Sequence, residues 1–250
     1  MQSTPFFKEA TPAKIRAMRF FVGANITVIL FCAFYLARYF FASGLGWPGL
    51  ISAIVVGYFL GDFASGAVHW AIDTWFDDRT LGRAIAITRE HHTHPDHVHG
   101  YGFVELASLG SAPSAAVIGL AAFTTALFEV SALTYVLMII WFVIATCLLF
   151  GMSFHNLAHE PVRSPVLRLA QRCHLVCPPP HHWVHHRDQT IHYCVVNGWA
   201  NYVCDRLHIW RGLERLIVAV TGLVPRADDH AWQDHYRETG TLSAPPKVHS

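Results

Sequence analysis

Histidine is the residue type that most sets this sequence apart, with 18 copies in 250 residues. Imidazole is the commonest metal ligand in proteins and suits iron, copper and zinc. Half of the histidines fall in four short segments, each of which follows or interrupts a long apolar run: His69; His91 and His92; His155 and His159; and His181, His182, His185 and His186. The pattern predicts a metal centre at a bilayer surface, with more ligands than one ion needs.

Two of these segments have the spacing of neighbours on a helix. Residues i and i+4 lie on the same helix face, so His155 and His159 can reach one ion; a pair of interfacial histidines without an ion is the alternative. His69 and Asp73 have the same spacing. Asp73 either binds the metal or fixes the histidine tautomer from outside the ligand shell, and a simple helix-end pair is the alternative.

The densest segment offers two such pairs, His181 with His185 and His182 with His186. The spacing therefore does not decide which of His181 and His182 is a ligand. A solvated histidine patch is the competing interpretation, but four imidazoles in six residues beside a membrane favour a metal site.

The remaining histidines carry weaker signals. His94, His97 and His99 follow the His91 and His92 pair closely. They are interpreted as having no metal role, and the alternatives are metal ligands or a metal-scavenging surface patch. His192 stays open. We expect no metal role for the isolated histidines, which are His174, His208, His230, His235 and His249.

The composition is that of an integral membrane protein. Hydrophobic residues make up 53% of the chain and charged residues 14%, against about 25% charged in an average soluble domain. The mean hydropathy is +0.32. The net charge of +1 gives no general attraction to nucleic acid. The six cysteines have no paired C-x2-C spacing, which indicates neither a disulfide framework nor a cysteine zinc site.

Four segments are long enough to cross a bilayer, which takes roughly 20 mostly apolar residues. We predict an all-α fold, a four-helix membrane bundle, with spans at Phe20–Phe41, Pro48 to about Ile72, about Leu106 to Phe128, and Ala132 to about Phe154. The second span is polar in its later half, where Asp62 either lines a substrate path or bonds within the bundle.

Positive charge predicts the orientation of these spans. Lysine and arginine precede the first span and recur in the loop over residues 76–105, whereas the other two connecting loops have none. The positive-inside rule therefore places both termini and that loop in the cytoplasm. This orientation puts all the histidine segments on the cytoplasmic face, as a histidine-rich cap. The membrane is the inner membrane in a bacterium or the endoplasmic reticulum in a eukaryote.

The C-terminal third is predicted to lie on the membrane surface rather than to cross it. Ser164–Cys173 alternates apolar residues with arginines, as does a second stretch from about Trp210 to Val220, and both are typical of interfacial amphipathic helices. Arg168 and Arg172, with Arg163, are candidate phosphate contacts; the alternative is that they only follow the positive-inside bias. We predict a cytoplasmic segment over 1–19, a catalytic domain over 20–239 and a disordered tail over 240–250.

Several motifs, in order along the chain, resemble those of the plasmanylethanolamine desaturase (Kua-like) family. The resemblance extends from about Gly61 to Trp232. Its motifs are Asp62–Trp70 with Asp73–Trp75, Arg89–His92 with Pro95, His181–His186 with Asn197–Trp199 and Asn201–Tyr202, and Pro225–Asp229.

This resemblance implies a di-iron desaturase that uses O2 to convert a 1-O-alkyl ether phospholipid to the vinyl ether of a plasmalogen. It implies two electrons from a carrier such as cytochrome b5 or ferredoxin. The implied metal residues are His69, Asp73, His91, His92, His155, His159, His181 or His182, His185 and His186. The nine candidate imidazoles, with both His181 and His182 counted, and one carboxylate would be enough for two iron ions.

Three other functions compete with this hypothesis. An acyl-lipid desaturase of the phosphatidylglycerol type and a di-iron lipid hydroxylase would use similar histidine motifs. A membrane metal-binding or transport protein would be no enzyme, but a transporter is expected to place its ligands near mid-bilayer. Here the ligands gather on one face, which favours the enzyme.

Overall fold

The computed structural model describes residues 11–76, 88, 91, 92, 98, 101–129, 131–159 and 164–225. These residues form helices and contain no strand, which confirms the all-α prediction for this part of the chain. The helices are α1 (Pro12–Tyr39), α2 (Trp47–Trp75), α3 (Phe103–Leu127), α4 (Ala132–Leu157), α5 (Pro165–Arg172), α6 (Pro179–Arg187), α7 (Trp199–Arg206) and α8 (Ile209–Thr221).

Helices α1 to α4 are each long and apolar enough to cross a membrane, which indicates a multi-pass membrane protein. Their bounds lie close to the predicted spans, except that α1 begins at Pro12 rather than Phe20. The reason is local: the side chain of Thr11 accepts a hydrogen bond from the Lys14 amide at 3.4 Å, and proline is well suited to the first helical position.

Helix α4 is the centre of the bundle, because α1, α2 and α3 all pack against it. Glycines allow the backbones to approach closely. A Cβ on Gly61 of α2 would lie 2.7 Å from Sγ of Cys147, and one on Gly110 of α3 would lie 2.1 Å from the carbonyl oxygen of Leu148. Helices α2 and α3, by contrast, make little direct backbone contact with each other.

The four short helices gather at the end of the bundle where α2 and α4 finish. Helix α7 packs against α2 and α8. A buried cluster of Trp70, Tyr193, Cys194, Ala200, Cys204 and Trp210 joins them. Gln171 of α5 donates from Nε2 to the carbonyl of Leu157 at 3.0 Å, which ties α5 to the end of α4.

Several predictions concern residues outside the described ranges. These are the first ten residues, the tail from Gly240, most of the loop over 76–105 with His94, His97 and His99, and also Arg163, His230, His235 and His249.

Candidate metal centre

The histidine segments come together at one end of the bundle. His69 and Asp73 lie in the last two turns of α2, His155 lies in the last turn of α4, and His159 follows it. Helix α6 brings three more imidazoles. These side chains form two groups of potential ligand atoms, and within each group the atoms all lie within 4.8 Å of one another.

The first group, called here the imidazole group, consists of His91, His155, His159, His182 and His186. The Nε2 atoms of His155, His159, His182 and His186 lie close together. That of His182 lies 2.8 Å from His155, 3.0 Å from His159 and 3.1 Å from His186. His159 lies 3.3 Å from both His155 and His186.

The second group, called here the mixed group, consists of His69, Asp73, His92 and His185. Oδ2 of Asp73 lies 3.1 Å from Nε2 of His69, 3.6 Å from that of His185 and 3.7 Å from that of His92. Nε2 of His185 also lies 3.1 Å from Nε2 of His92. One carboxylate therefore faces three imidazoles, and its side chain is only 6% exposed.

The two groups are direct neighbours. The consecutive residues His91 and His92 belong to different groups, and their ring centroids are 4.3 Å apart. His69 and His155, one from each group, have ring centroids 5.4 Å apart. The arrangement is a pair of adjoining sites rather than two separate ones.

Three of the imidazoles outside the membrane-spanning helices, those of His91, His182 and His185, are held neutral by their surroundings. Burial lowers the pKa of His91 and of His182 well below the usual range, and neighbouring imidazoles lower both further. Burial also lowers the pKa of His185 to about 4, although the nearby carboxylate of Asp73 acts in the opposite direction. At neutral pH these rings are uncharged, and a neutral imidazole has the lone pair that a metal requires.

Backbone carbonyls fix the orientation of two rings in the mixed group. Nδ1 of His69 lies 2.9 Å from the carbonyl oxygen of Tyr193, and Nδ1 of His185 lies 2.7 Å from that of Ile191. A carbonyl only accepts, so each Nδ1 must carry the proton. Each Nε2 is then left unprotonated toward Asp73. Contacts of this kind orient metal-binding histidines.

Asp62 holds the segment that supplies these carbonyls. Its Oδ1 accepts the amides of Val196, Asn197 and Gly198 at 3.0, 3.0 and 3.1 Å, and its Oδ2 accepts that of Ala200 at 3.0 Å. Asp62 is fully buried. Of the two predicted roles, the structure shows the bond within the bundle, and Asp62 is absent from the lining of the cavity described below.

His181 lies apart from both groups. Its Nε2 lies 3.0 Å from Nδ2 of Asn201, and its ring is 4.6 Å from that of His192. Nδ1 of His192 in turn lies 2.8 Å from Oδ2 of Asp205. Of the pair that the sequence left open, the structure brings His182, and not His181, to the imidazole group.

Arg168 and Arg172 are exposed on α5, on the helix that Gln171 ties to α4. The apolar Val166 and Leu169 of the same helix are also exposed, at 77% and 61%. The two arginines therefore lie on a short amphipathic helix and belong to neither the imidazole group nor the mixed group.

An apolar cavity of about 380 Å³ adjoins both groups, between α2, α3 and α4. His69 of the mixed group and His155 of the imidazole group are part of its wall. The rest of its lining is mostly apolar, from Ser65, Val68, Ala71, Ile72, Phe76, Thr88, Leu109, Gly110, Ala112, Pro113, Leu148, Gly151, Met152 and Val195. A larger crevice of about 470 Å³ lies between α1, α3 and α4 and contains none of the metal-group residues.

Comparison with known proteins identifies the family. The lipid desaturase domain matches residues 58–228, a range that contains every residue of both groups. The chain belongs to the lipid desaturase family. A plasmanylethanolamine desaturase of Myxococcus xanthus is 36% identical over 72% of this chain, and plasmanylethanolamine desaturase 1 of Mus musculus is 32% identical over 74%. A chloroplastic fatty acid desaturase 4 of Arabidopsis thaliana is 30% identical over 73%.

All three of these relatives are named as desaturases. The match covers 64% of the Myxococcus protein, 71% of the mouse protein and 56% of the Arabidopsis protein, so the chain spans less than two thirds of two of them. No solved structure matches the chain.

Sequence reasoning did not identify the segment that Asp62 holds, and it gave Asn201 no role in positioning the ligands. Asp62, Ser65, His69 and Asp73 follow one face of α2, and that polar stripe in an apolar span was the available signal. Asn201 binds the backbone of Cys194 through hydrogen bonds of 2.8 Å with its amide and 2.9 Å with its carbonyl. No pattern in the sequence indicated this contact.

Proposed function

We propose that this protein is an O2-dependent lipid desaturase in which the two ligand groups hold a pair of iron ions. The observation that carries the proposal is the convergence of eight imidazoles and one carboxylate into two adjoining sites, from α2, α4 and the residues after it, α6, and the segment between α2 and α3. The proposed ligands are His69, Asp73, His92 and His185 for one ion, and His91, His155, His159, His182 and His186 for the other.

The nitrogen positions call for a cation. A neutral imidazole has one N–H, so at most one partner of each close pair can donate. His155, His159 and His182 have their Nε2 atoms 2.8 to 3.3 Å apart. Each contact needs one donor and one acceptor, and among three mutually close nitrogens at least two must be alike. Hydrogen bonds therefore cannot satisfy all three contacts, and two like groups, such as two lone pairs, face and repel each other. A positive ion between the nitrogens removes this repulsion.

The same distances favour an octahedral ion over a tetrahedral one. For metal–nitrogen bonds of about 2.1 Å, two ligands at a right angle are about 3.0 Å apart, and two at the tetrahedral angle about 3.4 Å. Close pairs of Nε2 atoms within these groups are separated by 2.8 to 3.3 Å. Five nitrogens in one group also exceed the four ligands of a structural zinc site. Both features support iron.

Bound iron would activate O2 to remove two hydrogens from adjacent carbons, chemistry that no side chain performs alone. O2 would accept two electrons from the lipid chain and two from an external carrier, and with two protons would give two waters. The residues of this chain bind the substrate and orient the ligands. The cavity holds the hydrocarbon against His69 and His155, while Tyr193 and Ile191 keep the ligand tautomers fixed.

The substrate best supported is a 1-O-alkyl ether phospholipid, converted to the vinyl ether. The Myxococcus and mouse relatives bear the name of this activity. The reacting carbons adjoin the ether oxygen, so the irons must lie near the polar end of the lipid. The metal groups lie at the ends of α2 and α4, as that requires. An acyl-lipid desaturase is the second candidate, favoured by the Arabidopsis relative.

The proposal includes the membrane arrangement predicted from charge. The termini and metal groups face the cytoplasm, α5 and α8 lie in the interface, and Arg168 and Arg172 contact lipid phosphates. Exposed Leu216 and Val220 on α8 support an interfacial position. The catalytic domain extends over 20–239, and cytochrome b5 or ferredoxin is the electron donor.

Lipid mass spectrometry of a host fed alkyl ether phospholipids tests the proposal. Cells with the chain should contain a new species that is lighter by two hydrogens and labile to acid. Cells with His182→Ala should lack it. A hydroxylated product instead would indicate the hydroxylase, and an acid-stable desaturated acyl lipid would indicate the second candidate.

A further inference from the structure

The apolar cavity beside His69 and His155, which is the proposed substrate site, has a buried wall on one side and an exposed rim on the other. Its α4 wall is buried, with Leu148 7% and His155 1% exposed. The opposite rim is not: Ala112 of α3 and Phe76 of α2 are exposed, and Val68 and Leu109 are half-buried. The cavity is therefore open toward the side where α2 and α3 face each other.

The packing of the bundle explains this opening. Helices α2 and α3 both pack along α4, but within the described part of the chain they hardly touch each other. Pro113 lies inside α3 and removes the backbone hydrogen bond to Leu109 one turn earlier. Both residues line the cavity. A locally weakened helix thus borders the gap at the level of the cavity.

We propose that the lipid chain enters the cavity sideways from the bilayer, through the opening between α2 and α3 bounded by Val68, Ile72, Phe76, Leu109, Ala112 and Pro113. This inference rests on the proposed function and adds the path by which the membrane lipid reaches the cavity. A fatty acyl thioester arriving from the aqueous phase does not use this route.

The length of the cavity supports the same route. Its α4 wall runs from Leu148 to His155, seven residues and about 10 Å of helix. A chain in one leaflet spans about 15 Å, half of the roughly 30 Å hydrocarbon core. The chain is thus longer than the cavity. Its far end must leave through an opening that is continuous with the bilayer, and the exposed apolar rim provides one.

A bulky residue at the opening tests the route. Ala112→Trp places an indole in the gap, and Ala116→Trp makes the same change one turn further along α3, at an exposed position outside the cavity lining. In vesicles containing 1-O-alkyl phosphatidylethanolamine, we expect Ala112→Trp to lower turnover at least tenfold and Ala116→Trp to change it less than twofold. Both variants should retain wild-type iron content, which verifies folding.

A second readout does not depend on turnover. An alkyl ether phosphatidylethanolamine with a diazirine in mid-chain is incorporated into the vesicles and photolysed, and the labelled peptides are identified. Labels should fall on residues 68–76 and 109–113, should decrease in Ala112→Trp, and should be displaced by unlabelled ether lipid but not by a soluble acyl thioester.

Wild-type labelling and turnover in Ala112→Trp would overturn the lateral route, as would displacement of the label by the thioester. If the wild type labels at these positions but produces no vinyl ether, the proposed substrate is wrong and the lateral route stands. The two proposals can therefore fail separately.

Discussion

The change Asp62→Asn tests the contacts that hold the proposed ligands in position. It keeps the size of the side chain but removes its charge and replaces one acceptor oxygen with an NH2 group. Asp62 is fully buried and accepts four backbone amides, from Val196, Asn197, Gly198 and Ala200. No proposed ligand is altered.

The expected cost follows from the four bonds. A hydrogen bond to a charged group contributes about 1.5–3 kcal/mol and a neutral one about 0.5–1.5 kcal/mol. Three bonds to Oδ1 are weakened by roughly 1 kcal/mol each, and the bond from Ala200 is lost because two donors then face each other. Relief from burying a charge offsets part of this cost. We expect a net loss of about 2–4 kcal/mol in the free energy of unfolding.

The metal site should respond as well. The released segment carries the carbonyls of Tyr193 and Ile191, which accept from His69 and His185. Loss of such supporting contacts typically weakens metal binding about 10–100-fold. Thermal unfolding of the purified protein and iron titration of its metal-free form measure the two effects. Asp188→Asn, at an exposed carboxylate bonded only locally to Thr190, is the control and should cost less than about 1 kcal/mol.

The two measurements together distinguish a role of Asp62 in the fold from a role in positioning the ligands. Unchanged stability in Asp62→Asn would mean that the four bonds contribute little and would refute the reasoning. Lower stability with unchanged iron affinity would mean that Asp62 supports the fold without positioning the ligands.

Three other variants or treatments give direct tests. His182→Ala should abolish activity and lower bound iron, whereas His181→Ala should keep its iron; the reverse pattern would show that the two roles are exchanged. Gly66→Ala should cost about 1–3 kcal/mol, because its Cβ would lie 2.4 Å from Sγ of Cys194, whereas Gly119→Ala has no atom within 4 Å and should not destabilise; equal melting temperatures would contradict this. Removal of iron by a chelator should lower the melting temperature, and re-addition of iron should restore it; no shift would argue against ion binding at the buried groups.

Much of the fold could be predicted because membrane spans leave a strong signal. Long apolar runs predicted α2 and α4 nearly to their ends, and the amphipathic pattern after Ser164 predicted α5. The start of α1 was missed because the predicted span began with the apolar run. The helix itself is nucleated earlier by Thr11 and Pro12, and its first turns are polar.

Two features of the site could not be predicted from the sequence. One is which histidines of α6 face the site, and the other is which distant residues Asp62 contacts. On α6, His182, His185 and His186 lie within an arc of about 100°, and His181 lies just outside it. The sequence could not choose between His181 and His182, because both form i,i+4 pairs. The partners of Asp62 are more than 130 residues away in the chain. The polar stripe on α2 could indicate that Asp62 has a bonding partner, but it could not identify that partner.

The central claim is that the two ligand groups hold a pair of irons, and the metal content of the purified protein tests it most directly. We expect about two irons per chain, one for each group, and a loss of iron when His182 or Asp73 is replaced by alanine. A protein that is active with a single zinc ion, or an iron content unaffected by both substitutions, would contradict the account.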